Sequence, residues 1–481
     1  MKNKEKAHII VGFVSISSIC SFLITLFNYD RFPPGYGGML ILPLVFFIVL
    51  FVFFLDLLVG SSNPFVIYGV LIMEWIRFVL MPPFCALAGE QNGVSYIHPT
   101  ISSLNFAVIF MIIEILAVSI CCRLFIKKNY NINKVSHYTL IGNIRVYVLY
   151  FIFAAVVYFA FGKGTGIIRF LIISVGEGER VGDPTDTFSL MLRQIILCAF
   201  ILAFVVLSFY SWKKYTQTNQ GKYVMLAIFI SGINLSIIVG ERRSAQVYTL
   251  ICSLWILSRL FPKYKKKIFI VLSTIAGVVL IFMSIYKFFG AFMYDSYSQA
   301  LSSSNIDTSF VARTLQSYFF GPQNIAIGID FFQYFTTNIF QLFFDFIRSI
   351  FGFNFLFKNA GNITSISFNS FIYGFYKETG HVLSASAYGY GFLGPIFMPV
   401  IALLNILIAI FVENLLYKLH SLELIYIVLY ILTRFVTNLF VNTPPLINQA
   451  TLMAFSCLFI IGIATLFNRK KFVRKEVYKW E

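Results

Sequence analysis

Long apolar runs that are almost free of charge are the feature that most constrains the fold of this chain. Such runs recur along all 481 residues, and only 12% of the residues are charged, against roughly a quarter in a soluble domain. A helix needs about 20 apolar residues to cross the hydrocarbon core of a bilayer, and these runs reach that length. Because backbone groups in lipid must be hydrogen-bonded within their own segment, the runs predict α-helices. We therefore predict an all-α polytopic membrane protein with about 12 transmembrane helices.

The bounds of the predicted spans follow from where each apolar run begins and ends. The first run is too long for a cleaved signal peptide, and no small-residue cleavage site precedes Asp30, so we interpret it as a retained span. The predicted spans are 8–27, 39–60, 64–88, 102–125, 140–162, 189–211, 223–239, 246–261, 268–289, 391–415, 422–441 and 446–467.

The distribution of lysine and arginine predicts the orientation of these spans. With the N-terminus inside, most of the 37 Lys and Arg residues fall in segments on the inner side, whereas few acidic residues do. Cytoplasmic loops collect basic residues because positive loops resist translocation and face anionic lipid. Topology therefore explains the net charge of +17, which indicates no nucleic-acid partner. Both termini are predicted to lie inside.

The cysteines and the short motifs predict no cofactor. The seven cysteines lie in or beside apolar runs, their number is odd and they form no CxxC pair, so we expect them to pack between helices. The sequence has no HExxH, P-loop or GxSxG motif, and we predict neither a metal site nor a nucleotide site.

Two predicted outer loops are much longer than the other connections. One spans 162–188 and the other spans 290–390. The chain is thereby divided into helices 1–9 at 1–289, the long extracytoplasmic loop, and helices 10–12 with a basic cytoplasmic tail at 391–481. Apolar stretches of the long loop are interrupted by Gln, Asp and Arg, which is typical of interfacial helices. A re-entrant hairpin is the alternative.

Arg242 and Arg243 form a charged pair in a short predicted outer turn. Adjacent guanidinium groups repel each other unless an anion lies between them, and Glu241 supplies part of that charge. A lipid diphosphate would supply more, because guanidinium groups match phosphate oxygens in a bidentate way. We therefore interpret the pair as a diphosphate-binding candidate.

Further ionisable residues lie in the two long outer loops. Glu177, Glu179 and Arg180 fall in the shorter loop, and His381 falls just before span ten. Acidic loop residues are usually a solvated surface, and a lone loop histidine is usually solvated as well. An unperturbed histidine pKa near 6.5 nevertheless suits a general base.

Charged residues within predicted spans need partners, because an unpaired charge at mid-membrane costs about 3 kcal/mol or more. Glu74 and Arg77 are three residues apart in span three and are expected to pair with each other. The pair would either lock helices together or bind substrate. Arg434 lies near the middle of span eleven with no acidic residue nearby in the sequence, so it is also a candidate functional residue.

In architecture and in local features the chain resembles the Wzy-type polymerases of O-antigen and capsular polysaccharide, and their relative, the O-antigen ligase. Members of that family carry arginines in both outer regions, which correspond here to Arg180 and to Arg242 with Arg243. They often carry a segment similar to HVLSASAYGYGFLG, which runs here from His381 to Gly394. The resemblance covers nearly the whole chain and implies a GT-C-like fold.

The resemblance implies glycosyl transfer on the outer face of the bacterial inner (cytoplasmic) membrane. Undecaprenyl-diphosphate-linked glycans would be donor and acceptor, a chain-length regulator is a further partner to consider, and neither a metal nor another cofactor is implied. His381 is the favoured base, with Glu177 and Glu179 as the other catalytic candidates. The diphosphate-binding candidates are Arg180, Arg242, Arg243 and Arg434.

Two other functions remain open on the sequence. The ligase would move finished glycan onto lipid A core, and its architecture is the same. A flippase or other transporter of lipid-linked oligosaccharides would be expected to have short loops on both sides and cations lining the bundle centre.

Overall fold

A computed structural model describes residues 2–93, 97–128, 137–162, 187–237, 243–288, 293–302, 307–357, 361–374 and 380–477. Within those ranges the regular secondary structure is helical, and extended pairing is limited to isolated bridges.

Among the described residues, eight helices are long and apolar enough to cross a membrane. The chain is therefore an all-α multi-pass membrane protein. Each of these helices overlaps one predicted span, and the mean hydropathy of the best window ranges from 1.7 to 3.0. The helices are Glu5–Phe27, Gly37–Val59, Pro64–Gln91, Ile101–Phe125, Ile144–Phe161, Phe188–Thr218, Pro262–Tyr286 and Thr443–Asn468.

The other four predicted spans are helical, but none of them is a single helix that is both long and apolar enough to cross a membrane. The tenth is a pair of helices, Ala385–Phe397 and Val400–Leu416, bent by 108° at a short break. Three single helices, Lys222–Leu235, Arg243–Leu260 and Leu422–Thr437, fall short in length or apolarity. The total of twelve spans, the orientation and the GT-C-like fold stay predictions.

The chain divides into two compact units, and the boundaries between them fall partly inside helices. We call residues 290–390, the long predicted outer loop, the outer segment. The part of it from Ile306 onward belongs to the first unit. The first unit comprises Met1–Lys134, Ile306–Tyr417 and Arg434–Thr451. The second unit comprises Val135–Asn305, Lys418–Thr433 and Leu452–Glu481.

The part of the outer segment within the first unit folds into short helices, several of which begin at a capping side chain. The carboxylate of Asp307 accepts a hydrogen bond from the Phe310 N–H, and the side chain of Asn338 accepts one from Gln341. A capping oxygen satisfies one of the backbone donors that the first turn of a helix leaves open. The helices are Thr308–Tyr318, Pro322–Tyr334, Ile339–Ser349 and Thr364–Tyr373.

Asp330 ties the outer segment to the membrane helix that begins at Ile101. Its carboxylate accepts hydrogen bonds from the Thr100 backbone N–H at 2.9 Å, from the Thr100 hydroxyl and from the Ser103 hydroxyl. Helix Pro322–Tyr334 packs along helix Ile101–Phe125 as a result. From Ile306 onward the outer segment is thus part of the first unit's packed structure.

The helix Ile339–Ser349 is amphipathic, but its apolar face is exposed and its polar face is buried. Phe340 and Phe343 are 77% and 60% exposed, whereas Asp345 on the opposite face is 4% exposed. An apolar exposed face with a polar buried face is unfavourable in water and favourable beside lipid. The arrangement agrees with the predicted interfacial helices.

Buried carboxylates bind backbone N–H groups at a helix start in the first unit and just before a helix start in the second, both on the predicted inner side. In the first unit, Glu413 accepts hydrogen bonds at 2.9 Å from the N–H groups of Phe65 and Val66. In the second unit, Glu423 accepts hydrogen bonds from the N–H groups of Ile141 and Gly142. Negative charge at a helix N-terminus is stabilised by the helix dipole, so these two acids have structural roles.

Candidate functional site

The segment His381–Gly394, which belongs to the first unit, begins as extended chain and continues as a helix. The Ala385 N–H donates to the Phe440 carbonyl at 2.7 Å, and the Asn442 N–H donates to the Leu383 carbonyl at 3.1 Å. Ser384 then caps the helix Ala385–Phe397. Non-helical backbone at membrane depth needs protein partners for its polar groups, and these two stretches of chain supply them to each other.

Glycines in this segment make the sharp bend possible. A Cβ on Gly389 would collide with the Met398 carbonyl, so only glycine allows the chain to fold back so closely. Gly394 has a φ of 80°, a left-handed conformation that glycine adopts without strain, and Pro395 follows it. The glycine-rich character of the segment therefore has a direct structural cause.

The short helix places two hydroxyl groups against two buried carboxylates. The Ser386 hydroxyl donates to Glu114 Oε1 at 2.5 Å, and the Tyr388 hydroxyl donates to Asp345 Oδ2 at 2.8 Å. Residues two apart on a helix point to roughly opposite sides, because each residue turns the helix by about 100°. The helix consequently lies between Glu114 of a membrane helix and Asp345 of the outer segment.

Asp345 is held by donors from three parts of the outer segment. Besides Tyr388, its carboxylate accepts from Gln341 Nε2 at 3.0 Å and from the Thr364 backbone N–H at 3.3 Å. Burial raises the pKa of Asp345 above its ordinary value, and these hydrogen bonds to the charged form oppose the rise. Asp345 thus fixes the helix Ala385–Phe397 relative to the amphipathic helix.

His381 is fixed at the entrance to the same segment. Its backbone N–H donates to Asn369 Oδ1 at 2.9 Å, and its backbone carbonyl accepts from Asn369 Nδ2 at 3.0 Å. The imidazole ring stacks on Tyr373, with ring centroids 5.4 Å apart, and remains partly exposed. A partly exposed imidazole held in one orientation is suited to accept a proton from a bound hydroxyl group.

A second polar cluster lies inside the first unit and consists of Glu74, Arg77 and Glu114. We call it the charge cluster. Arg77 Nη1 forms an ion pair with Glu114 Oε2, and Arg77 Nε donates to the Phe320 carbonyl at 3.1 Å. The guanidinium carbon lies 4.1 Å from the centre of the Phe440 ring, a cation–π contact.

The expected pairing of Glu74 with Arg77 was wrong. Neither oxygen of the Glu74 carboxylate has a hydrogen-bond partner among the described residues, and Arg77 pairs with Glu114 of another helix. The reason is local, because the α-helix ends at Trp75 and continues as a π-helix over Ile76–Leu80. The wider turn rotates Arg77 away from the position that an α-helical spacing of three would give it.

The other predicted site residues are placed only in part. Glu177, Glu179, Arg180 and Arg242 lie outside the described residues, and Arg243 is described only as the first residue of a helix. Arg434 lies half-buried in the helix Leu422–Thr437.

The sequence reasoning missed Glu114, Asp345 and Tyr388 as site residues. Glu114 and Asp345 are each an acid within an otherwise apolar stretch, and that signal was available. Tyr388 gave no signal, because one tyrosine among 27 is not distinctive until its hydroxyl is seen on a carboxylate.

No protein-family model, curated protein or solved structure matches this chain. The site has to be interpreted from its own chemistry. Within the ranges that the structure describes, no group of three or more His, Cys, Asp or Glu side chains is arranged to hold a metal ion.

Proposed function

We propose that this protein polymerises oligosaccharide repeat units that are linked to a polyprenyl diphosphate, by glycosyl transfer on the outer face of the bacterial cytoplasmic membrane. A growing glycan on undecaprenyl diphosphate would move onto a sugar hydroxyl of another lipid-linked unit. Undecaprenyl diphosphate would be the leaving group.

The observation that carries the proposal is the geometry of the segment His381–Gly394, on which the resemblance to the Wzy-type polymerases depends. Its histidine is fixed by Asn369 and Tyr373, and its helix bonds to Asp345 of the outer segment. The amphipathic helix Ile339–Ser349 supports the proposal further, because a lipid-linked substrate is reached from the membrane surface.

The proposed chemistry needs a base and a cation. His381 accepts the proton of the attacking sugar hydroxyl as the new glycosidic bond forms. The anomeric carbon–oxygen bond to the diphosphate breaks, and the leaving diphosphate gains negative charge. Arg180, Arg242 and Arg243 stabilise that charge more in the transition state than in the ground state.

The first test replaces the proposed base. His381→Ala in the native host is expected to leave single repeats on the surface acceptor in place of long polysaccharide, on a gel of surface glycans. His98→Ala is the matched control, because His98 is an exposed histidine on the same predicted side. Long chains in the His381→Ala strain, at wild-type protein level, would remove His381 from the mechanism.

The second test replaces the proposed diphosphate-binding pair. Arg242→Ala and Arg243→Ala are each expected to raise the reaction barrier by roughly 3–4 kcal/mol, by analogy with oxyanion donors. The polysaccharide chains would become short, whereas the variant proteins would still insert into the membrane. Arg31→Ala, an exposed arginine on the same predicted side, is the control. Polysaccharide of normal length from the double variant would contradict the proposed binding of diphosphate by this pair.

A transporter of the same lipid-linked units is the second candidate, and a specific observation favours it. Broken membrane helices beside buried charges are typical of transporters, and this chain has a 108° break next to the charge cluster. The two functions differ in where substrate accumulates after deletion of the gene. Polymerase loss leaves single lipid-linked repeats on the outer leaflet, whereas transporter loss leaves them on the inner leaflet.

A further inference from the structure

The charge cluster contains polar atoms that its own side chains do not satisfy. Glu74 is 1% exposed, and both of its carboxylate oxygens lack hydrogen-bond partners among the described residues. Arg77 is fully buried, and its Nη2 group also lacks one. Buried polar groups in folded proteins nearly always have partners, so the unsatisfied carboxylate of Glu74 points to a ligand.

The charges of the cluster do not balance. The cluster contains two carboxylates and one guanidinium group, and all three side chains are at most 1% exposed. The Glu114 carboxylate is already engaged with Arg77 and with the Ser386 hydroxyl. One negative charge is therefore left over in a region of low dielectric constant, where an uncompensated ion costs several kcal/mol.

Among the residues that the structure describes, no further charged side chain acts on Glu74 to supply the missing charge. The groups that act on it electrostatically are Arg77, which attracts it, and Glu114, which repels it. The thiol of Cys122 on the helix Ile101–Phe125 also faces it. A water molecule would satisfy hydrogen bonds but would leave the excess charge in place. The missing component carries one positive charge.

We infer that Glu74, beside the Arg77–Glu114 pair, is a binding site for one exchangeable monovalent cation within the membrane bundle. The cation is either a proton or a small alkali ion such as Na⁺, since both have the required charge. Ser386 connects this site to the segment His381–Gly394. The inference does not depend on the proposed polymerase activity.

The test measures thermal unfolding of the purified full-length protein in nanodiscs. One arm replaces choline chloride by NaCl at constant ionic strength, and the other arm varies pH in choline chloride. If Na⁺ is the cation, the unfolding midpoint of the wild type rises by several degrees with NaCl, because a ligand that binds only the folded state stabilises it. If a proton is the cation, NaCl has no specific effect and the midpoint falls as pH rises and the proton is lost.

The comparison of two variants identifies Glu74 as the cause. Glu74→Gln removes the charge and keeps the size of the side chain, so its midpoint should respond less than that of the wild type. Glu90→Gln, at an exposed acid near the end of the same run Pro64–Gln91, should keep that response. The inference is overturned if the wild type responds in neither arm, or if Glu74→Gln responds as strongly as the wild type.

Discussion

At the scale of single residues, buried ionisable groups matter more for the stability of this molecule than its surface charges do. Arg77 and Glu114 are fully buried, whereas Asp56 and Arg123 form an ion pair with side chains 58% and 32% exposed. Solvent screens the exposed pair, and such pairs contribute little to stability. Breaking a buried pair leaves an uncompensated charge in the interior, which is strongly destabilising.

We expect Arg77→Met to lower the free energy of unfolding by about 3–5 kcal/mol, because Glu114 loses its ion-pair partner and two carboxylates are left without a cation in a buried site. Denaturant or thermal unfolding in detergent measures the change. Asp56→Asn, which breaks the exposed pair, serves as the comparison and should unfold close to the wild type. Equal midpoints for the two variants would mean that the Arg77 pair is not buried in the membrane-embedded protein.

Asp345 predicts a pH effect whose sign follows from its environment. Burial raises its pKa above the ordinary value of 3.8, so the carboxyl group binds its proton more tightly in the folded state than in the unfolded state. Its contribution to stability is present at low pH and is lost as pH rises through the folded-state pKa. Asp345→Asn cannot ionise, so its unfolding midpoint relative to the wild type should increase with pH. A difference that is constant or that decreases with pH would contradict this assignment.

At the scale of elements, the sequence predicted membrane helices well and the break in the tenth span poorly. The helix Ile101–Phe125 matches the predicted span 102–125 because Thr100 caps its start and the apolar run has a clear end. The predicted span 391–415 instead lies across the bend between Ala385–Phe397 and Val400–Leu416. Hydropathy continues through that bend, and only the close approach of Gly389 to Met398 reveals it.

Gly389→Ala should destabilise the fold by about 1–3 kcal/mol or more, because its Cβ would overlap the Met398 carbonyl and the bend would have to open. The thermal unfolding midpoint and the yield of monodisperse protein report the effect. Gly277→Ala is the matched control, since a Cβ on this helical glycine meets nothing within 4 Å. We expect that control to be as stable as the wild type or slightly more so. A Gly389→Ala protein as stable as the wild type would argue against the tight bend.

At the scale of the whole molecule, the apolar runs predicted the fold class, but side-chain pairing between distant helices was not predictable. Arg77 finds Glu114 across 37 residues of sequence, and Asn63 finds Asn414 across 351. The spacing of residues on one helix predicts neighbours on that helix only. The partners of in-span charges therefore depended on how the helices are arranged.

Cysteine labelling tests the predicted orientation of the whole chain. Ser302 lies on the predicted outer side and Thr218 on the predicted inner side, and both are exposed. Ser302→Cys should react with a membrane-impermeant maleimide added to intact spheroplasts, whereas Thr218→Cys should react only after lysis. The parent chain is the reference, because six of its seven cysteines are buried and the exposed Cys20 lies in the first membrane helix. The reverse labelling pattern would invert the topology.

The short helix Ala385–Phe397 has a mechanical consequence. It is bounded by a sharp turn, and it carries Ser386 and Tyr388 on opposite sides against two different carboxylates. A rotation about its axis that strains one hydrogen bond strains the other at the same time. We therefore expect a change at Asp345 in the outer segment to alter the hydrogen bond at Glu114, and a change at Glu114 to alter the one at Asp345.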